Sequence, residues 1–133
     1  MSMRVRTVLS GLCLAMLLGG GALAGPAPVE GLYSPDGVSD YRVSLCGPDK
    51  DALCVMVAAL REGADNKRNR PYLGKNIIDE AAPKGENRWQ GKLNLFGQSA
   101  DGTMVFVAPD RIELKGCMLM VICQSITLKR IGD

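Results

Sequence analysis

Four cysteines carry most of the reactive chemistry in this chain. Cys46 and Cys54 are separated by seven residues, and Cys117 and Cys123 by five. Thiols so placed could clip a metal, exchange electrons or staple a fold. Structural zinc sites use tighter C-x2–4-C spacing, and no C-x-x-C of the redox kind occurs. The sequence contains no histidine. That removes Ser-His-Asp and Cys-His nucleophile activation together with the commonest metal ligand. What remains for acid–base chemistry is a pair of carboxylates facing each other across a cleft, as in glycoside hydrolysis. Asp65, Asp79, Glu80, Asp101, Asp110 and Glu113 stand in or beside expected loops, where solvated turn residues are the simpler reading. No GxGxxG or P-loop spacing appears. These residues predict a protein that is not an enzyme and uses neither metal nor cofactor.

Other side chains suggest recognition. Lys67-Arg68-Asn69-Arg70 could hold an anion such as a phosphorylated lipid head group, although a solvated loop explains it as well. Trp89, the one tryptophan, and Phe106 are candidate ligand contacts that serve equally as core. Met118 and Met120 flank Leu119 just before Val121. At the tip of a hairpin they would form an apolar contact patch for a ligand or a partner.

The compartment decides between the readings of the cysteines. Residues 1–24 begin with the basic Arg4 and Arg6, continue through the apolar run from Val8 to Leu18, and end in Ala22-Leu23-Ala24. This is the order of a secretory signal peptide cleaved between Ala24 and Gly25. Its apolar run is shorter than the roughly 20 residues of a membrane span. Residues 25–133 then form a single domain with no further apolar span, periplasmic or secreted. Of the 16 basic residues two lie in the leader and none of the 14 acidic ones do, so the mature chain is near neutral, which argues against a nucleic-acid partner. Cleavage removes Cys13 and leaves four of the five cysteines, and in an oxidising compartment an even number reads as disulfides.

The elements that must position these residues read as strands. Tyr41 to Leu45 alternates, and Arg88 to Phe96 places Trp89, Gly91, Leu93 and Leu95 on one side with polar residues on the other, the period of a half-buried strand. Leu53 to Leu60 is apolar throughout, with β-branched Val55 and Val57. Gly31 to Ser34 opens the domain, and Asn76 to Ile78, Met104 to Ala108, Ile112 to Cys117 and Val121 to Ile131 complete the set. Turn signals fall at Pro35-Asp36-Gly37, Gly47 to Asp51, Asp101-Gly102 and Pro109-Asp110, with turn-rich links at 61–70 and 80–87. About eight short strands at this spacing predict an all-β antiparallel sandwich or barrel. Four cysteines allow three connectivities, and hairpin geometry favours Cys46–Cys54 and Cys117–Cys123. Each bridge would stabilise by about 2.5 kcal/mol in the chain-entropy estimate.

An ordered set of residues resembles the domain of unknown function 2147 family, small secreted bacterial proteins. It comprises Gly31-Leu32-Tyr33 with Pro35-Asp36-Gly37, Cys46-Gly47 with Leu53-Cys54, Arg70-Pro71 with Leu73-Gly74, Asn87-Arg88-Trp89 with Gly91, Asp101-Gly102-Thr103, Leu114 with Gly116-Cys117, and Cys123 with Arg130. The family carries Trp where this chain has Tyr33. The resemblance implies a lipocalin-like, up-and-down β-barrel of about eight strands. It also implies that Tyr33 and Arg130 close one end through a cation–π contact. By analogy of fold, the expected function is binding of a small apolar or amphipathic ligand inside the barrel. The alternative is a protein–protein module of the cell envelope, an assembly factor or hydrolase inhibitor, with a filled barrel.

Overall fold

The computed structural model describes residues 28–118 and 122–133. The expected leader, its cleavage point at Ala24 and Gly25, and Met120 lie outside the described residues. Eight strands follow in order: β1 (Gly31–Ser34), β2 (Ser39–Cys46), β3 (Ala52–Leu60), β4 (Asn76–Pro83), β5 (Arg88–Leu95), β6 (Gln98–Val107), β7 (Arg111–Met118) and β8 (Ile122–Gly132). Each pairs antiparallel with the next, and β1 pairs with β8, so the sheet closes into an up-and-down barrel. Closure is what removes most of the open edge from such a sheet.

Alternation along the strands builds the core. In β5 Trp89 is buried and Leu93 and Leu95 half-buried, whereas Arg88, Gln90, Lys92 and Asn94 are exposed. Val43, Leu53, Val55, Met104, Ile112, Leu114 and Leu128 meet Trp89 in one inward-facing cluster. Gly91 stands in the same inward row because nothing larger fits. A Cβ there would lie 2.9 Å from both Cα and Cβ of Ala81 on β4.

Two turn expectations are corrected. Asp101-Gly102 is not a turn but the middle of β6, opposite Lys92 and Gly91. The β5–β6 turn falls at Phe96-Gly97, both with positive φ (52° and 71°), as a tight two-residue hairpin connection requires. The link expected at 80–87 also begins later, because β4 runs on to Pro83, which pairs with Trp89. Glu80, at φ 48°, lies where the β4–β5 register shifts, between Ile78 and Ala82. This irregularity lets one strand bury both Ile77 and Ile78 and still bury Ala81.

The barrel has two unlike ends. The turns after β2, β4 and β6 gather with both ends of the domain at one. The turns after β1, β5 and β7 gather at the other, with the segment 61–75 and its 3-10 turns Glu62–Ala64 and Arg70–Tyr72.

Candidate functional site

The first end is closed by side chains. Tyr33 is fully buried, and its hydroxyl donates to the carbonyl of Val29 at 2.8 Å. Opposite it on β8, Arg130 holds its guanidinium carbon 5.0 Å from the Tyr33 ring centre. The same group donates to three carbonyls: Glu30 from Nη1 at 2.7 Å, Pro109 from Nε at 3.3 Å, and Pro28 from Nη2. Gly31 makes room for it, since a Cβ there would run into the Arg130 guanidinium and stand 2.8 Å from the Gly132 carbonyl oxygen. Burial pushes the Tyr33 hydroxyl pKa up; Arg130 opposes this and Asp110 adds to it. Trp89 and Phe106 belong to this end too. Trp89 is buried and donates Nε1–H to the Asp51 carbonyl at 2.8 Å, and Phe106 is buried opposite Ile112. Both are far from the open mouth.

Both disulfides brace hairpins. Cys46 and Cys54 are bonded across β2 and β3 with Cα atoms 6.0 Å apart, a diagonal bridge because Cys54 stands opposite Ser44. Cys54 is buried, and the Glu80 amide approaches its sulfur at 3.4 Å. Cys117 and Cys123 are bonded directly across β7 and β8 with Cα atoms 4.1 Å apart. With all four sulfurs bridged, these residues offer neither a thiol nucleophile nor a metal ligand. Among the described residues no group of three or more Cys, Asp or Glu side chains could hold a metal ion.

The second end is open and apolar. Pro35, Tyr41, Val55, Ile77, Leu93, Leu95, Leu114, Ile126 and Leu128 line a cavity of about 70 Å³. Ile126, on the same face of β8 as buried Leu128, is nevertheless 43% exposed. Adjoining the cavity through Tyr41 and Leu95 is a groove of about 130 Å³ that reaches Leu60, Asn69, Tyr72 and Phe96. Burial pushes the Tyr41 hydroxyl pKa up, the charge of Asp36 adds to this, and a hydrogen bond with Ser39 offsets part of it. Among the described residues no buried side-chain nitrogen or oxygen lacks a hydrogen-bond partner. The interior therefore presents no polar atom that waits for a ligand.

The rim is fixed by charge and ring contacts. Arg61 grips Asp40 with both guanidinium nitrogens (2.6 and 2.7 Å) and the Gly37 carbonyl at 2.9 Å, tying the end of β3 to the β1–β2 turn. Within that turn Asp36 accepts from the amides of Val38 and Ser39. Burial alone would raise its pKa, but these hydrogen bonds outweigh burial and hold it low. Tyr72 meets Phe96 edge to face at 5.4 Å, and its hydroxyl accepts from the Phe96 amide at 2.6 Å. Arg68 lies 3.8 Å over the Phe96 ring, whereas Arg70 is paired with Asp65. The basic cluster is thus divided between a ring contact and an ion pair, and Lys67 is exposed. The candidate carboxylates are dispersed: Asp79 takes a hydrogen bond from Asn76, Asp101 pairs with Lys92, and Glu113 stands on β7 beside Arg111. Met118 ends β7, next to residues outside the description.

A closed antiparallel eight-stranded barrel, plugged at one end by Tyr33 and Arg130 and apolar at the other, defines the class of protein. A family model described as "Uncharacterized protein conserved in bacteria (DUF2147)" matches residues 33–130, and the chain belongs to that family. No curated protein and no solved structure shows significant similarity to it. Tyr72 and Ile126 escaped sequence reasoning, and Phe96, expected to end a half-buried strand, stands instead in the β5–β6 turn and is exposed. The Arg70-Pro71-Tyr72 stretch was the only local signal, since a proline after a polar run brings the chain back toward the fold.

Proposed function

We propose that this exported barrel binds, without catalysis, the apolar end of a slender amphipathic molecule at its open mouth. The observation that carries this reading is the exposure of Ile126 beside half-buried Tyr41, Leu93 and Leu95 around an apolar cavity. At about 70 Å³ that cavity is well below the roughly 300–1,000 Å³ of sites for whole small molecules. It suits a chain end, with the head group outside near Lys67 and Arg68. Each methylene buried contributes about 0.8 kcal/mol, so a few of them offset the cost of association only in part and binding is weak. Export to the periplasm or medium belongs to the same proposal, and two disulfides in a bacterial domain are compatible with it. A protein–protein role in the envelope is the second reading, supported by the solid packing of the closed half around Tyr33, Leu53 and Ile112.

The test is calorimetric titration with straight-chain alkyl carboxylates and alcohols of increasing length. Affinity should rise with length, level off once the cavity is filled, and fall about tenfold or more in Leu95→Asp and Ile126→Asp. Equal binding by wild type and both variants would sink the idea, as would no binding by any member of the series. N-terminal sequencing of protein from a periplasmic fraction should begin at Gly25.

A further inference from the structure

β1 is only four residues long, and β8 is eleven. The two are paired at Leu32 with Gly132, Tyr33 with Arg130 and Ser34 with Lys129, and no further. The part of β8 from Cys123 to Leu128 is therefore held on one side by β7 and overhangs β1 on the other. The direction of its backbone groups follows from two observations. The Arg130 amide donates to the Asp110 carbonyl at 2.7 Å, so even-numbered residues of β8 face β7. Cys117 and Cys123 have Cα atoms 4.1 Å apart, the narrow spacing of a pair that exchanges no hydrogen bonds. Cys123, Ser125 and Thr127 therefore turn their N–H and C=O groups to the free edge, where none of them has a protein partner among the described residues.

Exposed strand edges are usually blunted by charge, proline or a bulge. This one reads Cys-Gln-Ser-Ile-Thr-Leu from 123 to 128, with no charged residue and no proline, and its pairing with β7 is unbroken. The edge is thus neutral and regularly paired on its other side, with two β-branched residues, Ile126 and Thr127, and like charges do not oppose its meeting a second copy of itself. We propose that two copies of the chain pair antiparallel through this edge about a two-fold axis at Ser125. Ser125 then faces Ser125, and Cys123 faces Thr127 on both sides. All three residues of each copy point the same way, so every one of these is a hydrogen-bonded pair. The three pairs exchange six backbone hydrogen bonds and extend the sheet of each barrel into the other. The added strand also covers the side of the mouth where Ile126 is exposed.

The test is sedimentation of the oxidised protein over a wide concentration range, with hydrogen exchange on the same samples. Dimer is expected to accumulate with concentration, with slowed exchange of the Ser125 and Thr127 amides that follows the dimer fraction. Ser125→Pro removes an N–H that β7 does not use, so the barrel keeps its own ladder. It should weaken association about tenfold or more, the equivalent of at least 1.4 kcal/mol. Thr127→Lys, which places a charge on the edge, should do the same. Far-UV circular dichroism should leave both variants indistinguishable from the parent. A protein that stays monomeric at millimolar concentration would overturn the proposal. So would a dimer that survives both substitutions, or one in which the Ser125 and Thr127 amides exchange at the monomer rate.

Discussion

Replacing Arg130 by Met should destabilise the barrel by about 3 kcal/mol. The substitution keeps the aliphatic stem and deletes the guanidinium, which reaches the carbonyls of Pro28, Glu30 and Pro109 and stands over Tyr33. A hydrogen bond from a charged donor contributes about 1.5–3 kcal/mol. The Pro109 contact is long, and the Pro28 and Pro109 bonds are exposed, so water compensates part of the loss and about 2–2.5 kcal/mol is expected from all three. The ring contact adds about 0.5–1 kcal/mol. With a urea slope of about 1.5 kcal/mol/M, the midpoint should fall by about 2 M. Arg130→Lys should recover less than half, because an ammonium cannot fork to separate carbonyls and lies poorly over a ring. A cycle combining Arg130→Met with Tyr33→Leu isolates the ring term, expected near 0.5–1 kcal/mol. A loss under about 1 kcal/mol for Arg130→Met, or full recovery by Lys, would refute the view that this group ties both ends of the domain together.

Three further outcomes follow from other parts of the barrel. Gly91→Ala drives a methyl against Ala81 and should cost about 1–3 kcal/mol by denaturant titration; Ala81→Gly in the same chain should return part of it. Tyr33 and Tyr41 both have pKa values raised by burial, so the folded state favours their neutral forms. Stability from this source is complete below the unfolded value of about 10 and is lost as pH rises through the folded values. Tyr33→Phe and Tyr41→Phe should each flatten the alkaline arm of a stability-versus-pH curve. The two disulfides close loops of similar length, yet Cys54 is buried and Cys123 exposed. The double alanine variant at 46 and 54 should therefore lose clearly more than the roughly 2.5 kcal/mol of loop entropy, and the variant at 117 and 123 about that amount, in thermal melts of the oxidised proteins.

What could be read from the sequence was local. β5 announced itself because alternation of Trp89, Leu93 and Leu95 with exposed polar residues has the period of the strand itself. Both disulfides were legible because each joins cysteines at the base of one hairpin, where pairing depends on a single turn. The error at Asp101-Gly102 has the opposite cause. An Asp-Gly pair is a strong turn signal, but here Asp101 pairs with Lys92 across the sheet and Gly102 stands opposite Gly91. The turn went instead to Phe96-Gly97, although a phenylalanine with positive φ is unfavourable by itself. Contacts distant in sequence hold it there: the Tyr72 hydroxyl takes its amide hydrogen bond, the Tyr72 ring packs perpendicular to its ring, and Arg68 covers its face.

The open mouth was hidden for the same kind of reason. Ile126 alternates with Leu128 on β8 and reads as core. It becomes exposed because β1 stops at Ser34, where the chain turns through Pro35 to Gly37. Nothing near Ile126 in the sequence records that ending, since the two residues lie on strands from opposite ends of the domain that meet only when the barrel closes. The stagger of β8 past β1 therefore produces both features of the open end, the half-exposed apolar lining and the unpaired edge from Cys123 to Thr127. A substitution that lengthened β1 should diminish them together. Replacing Pro35 by Val removes the ring's constraint on φ, so the strand can run on and bring residue 36 opposite Thr127, whose N–H and C=O face that edge. Ligand binding at the mouth and association through the edge should then weaken in parallel, and a variant with one lost and the other intact would show that the two features are not coupled by the stagger.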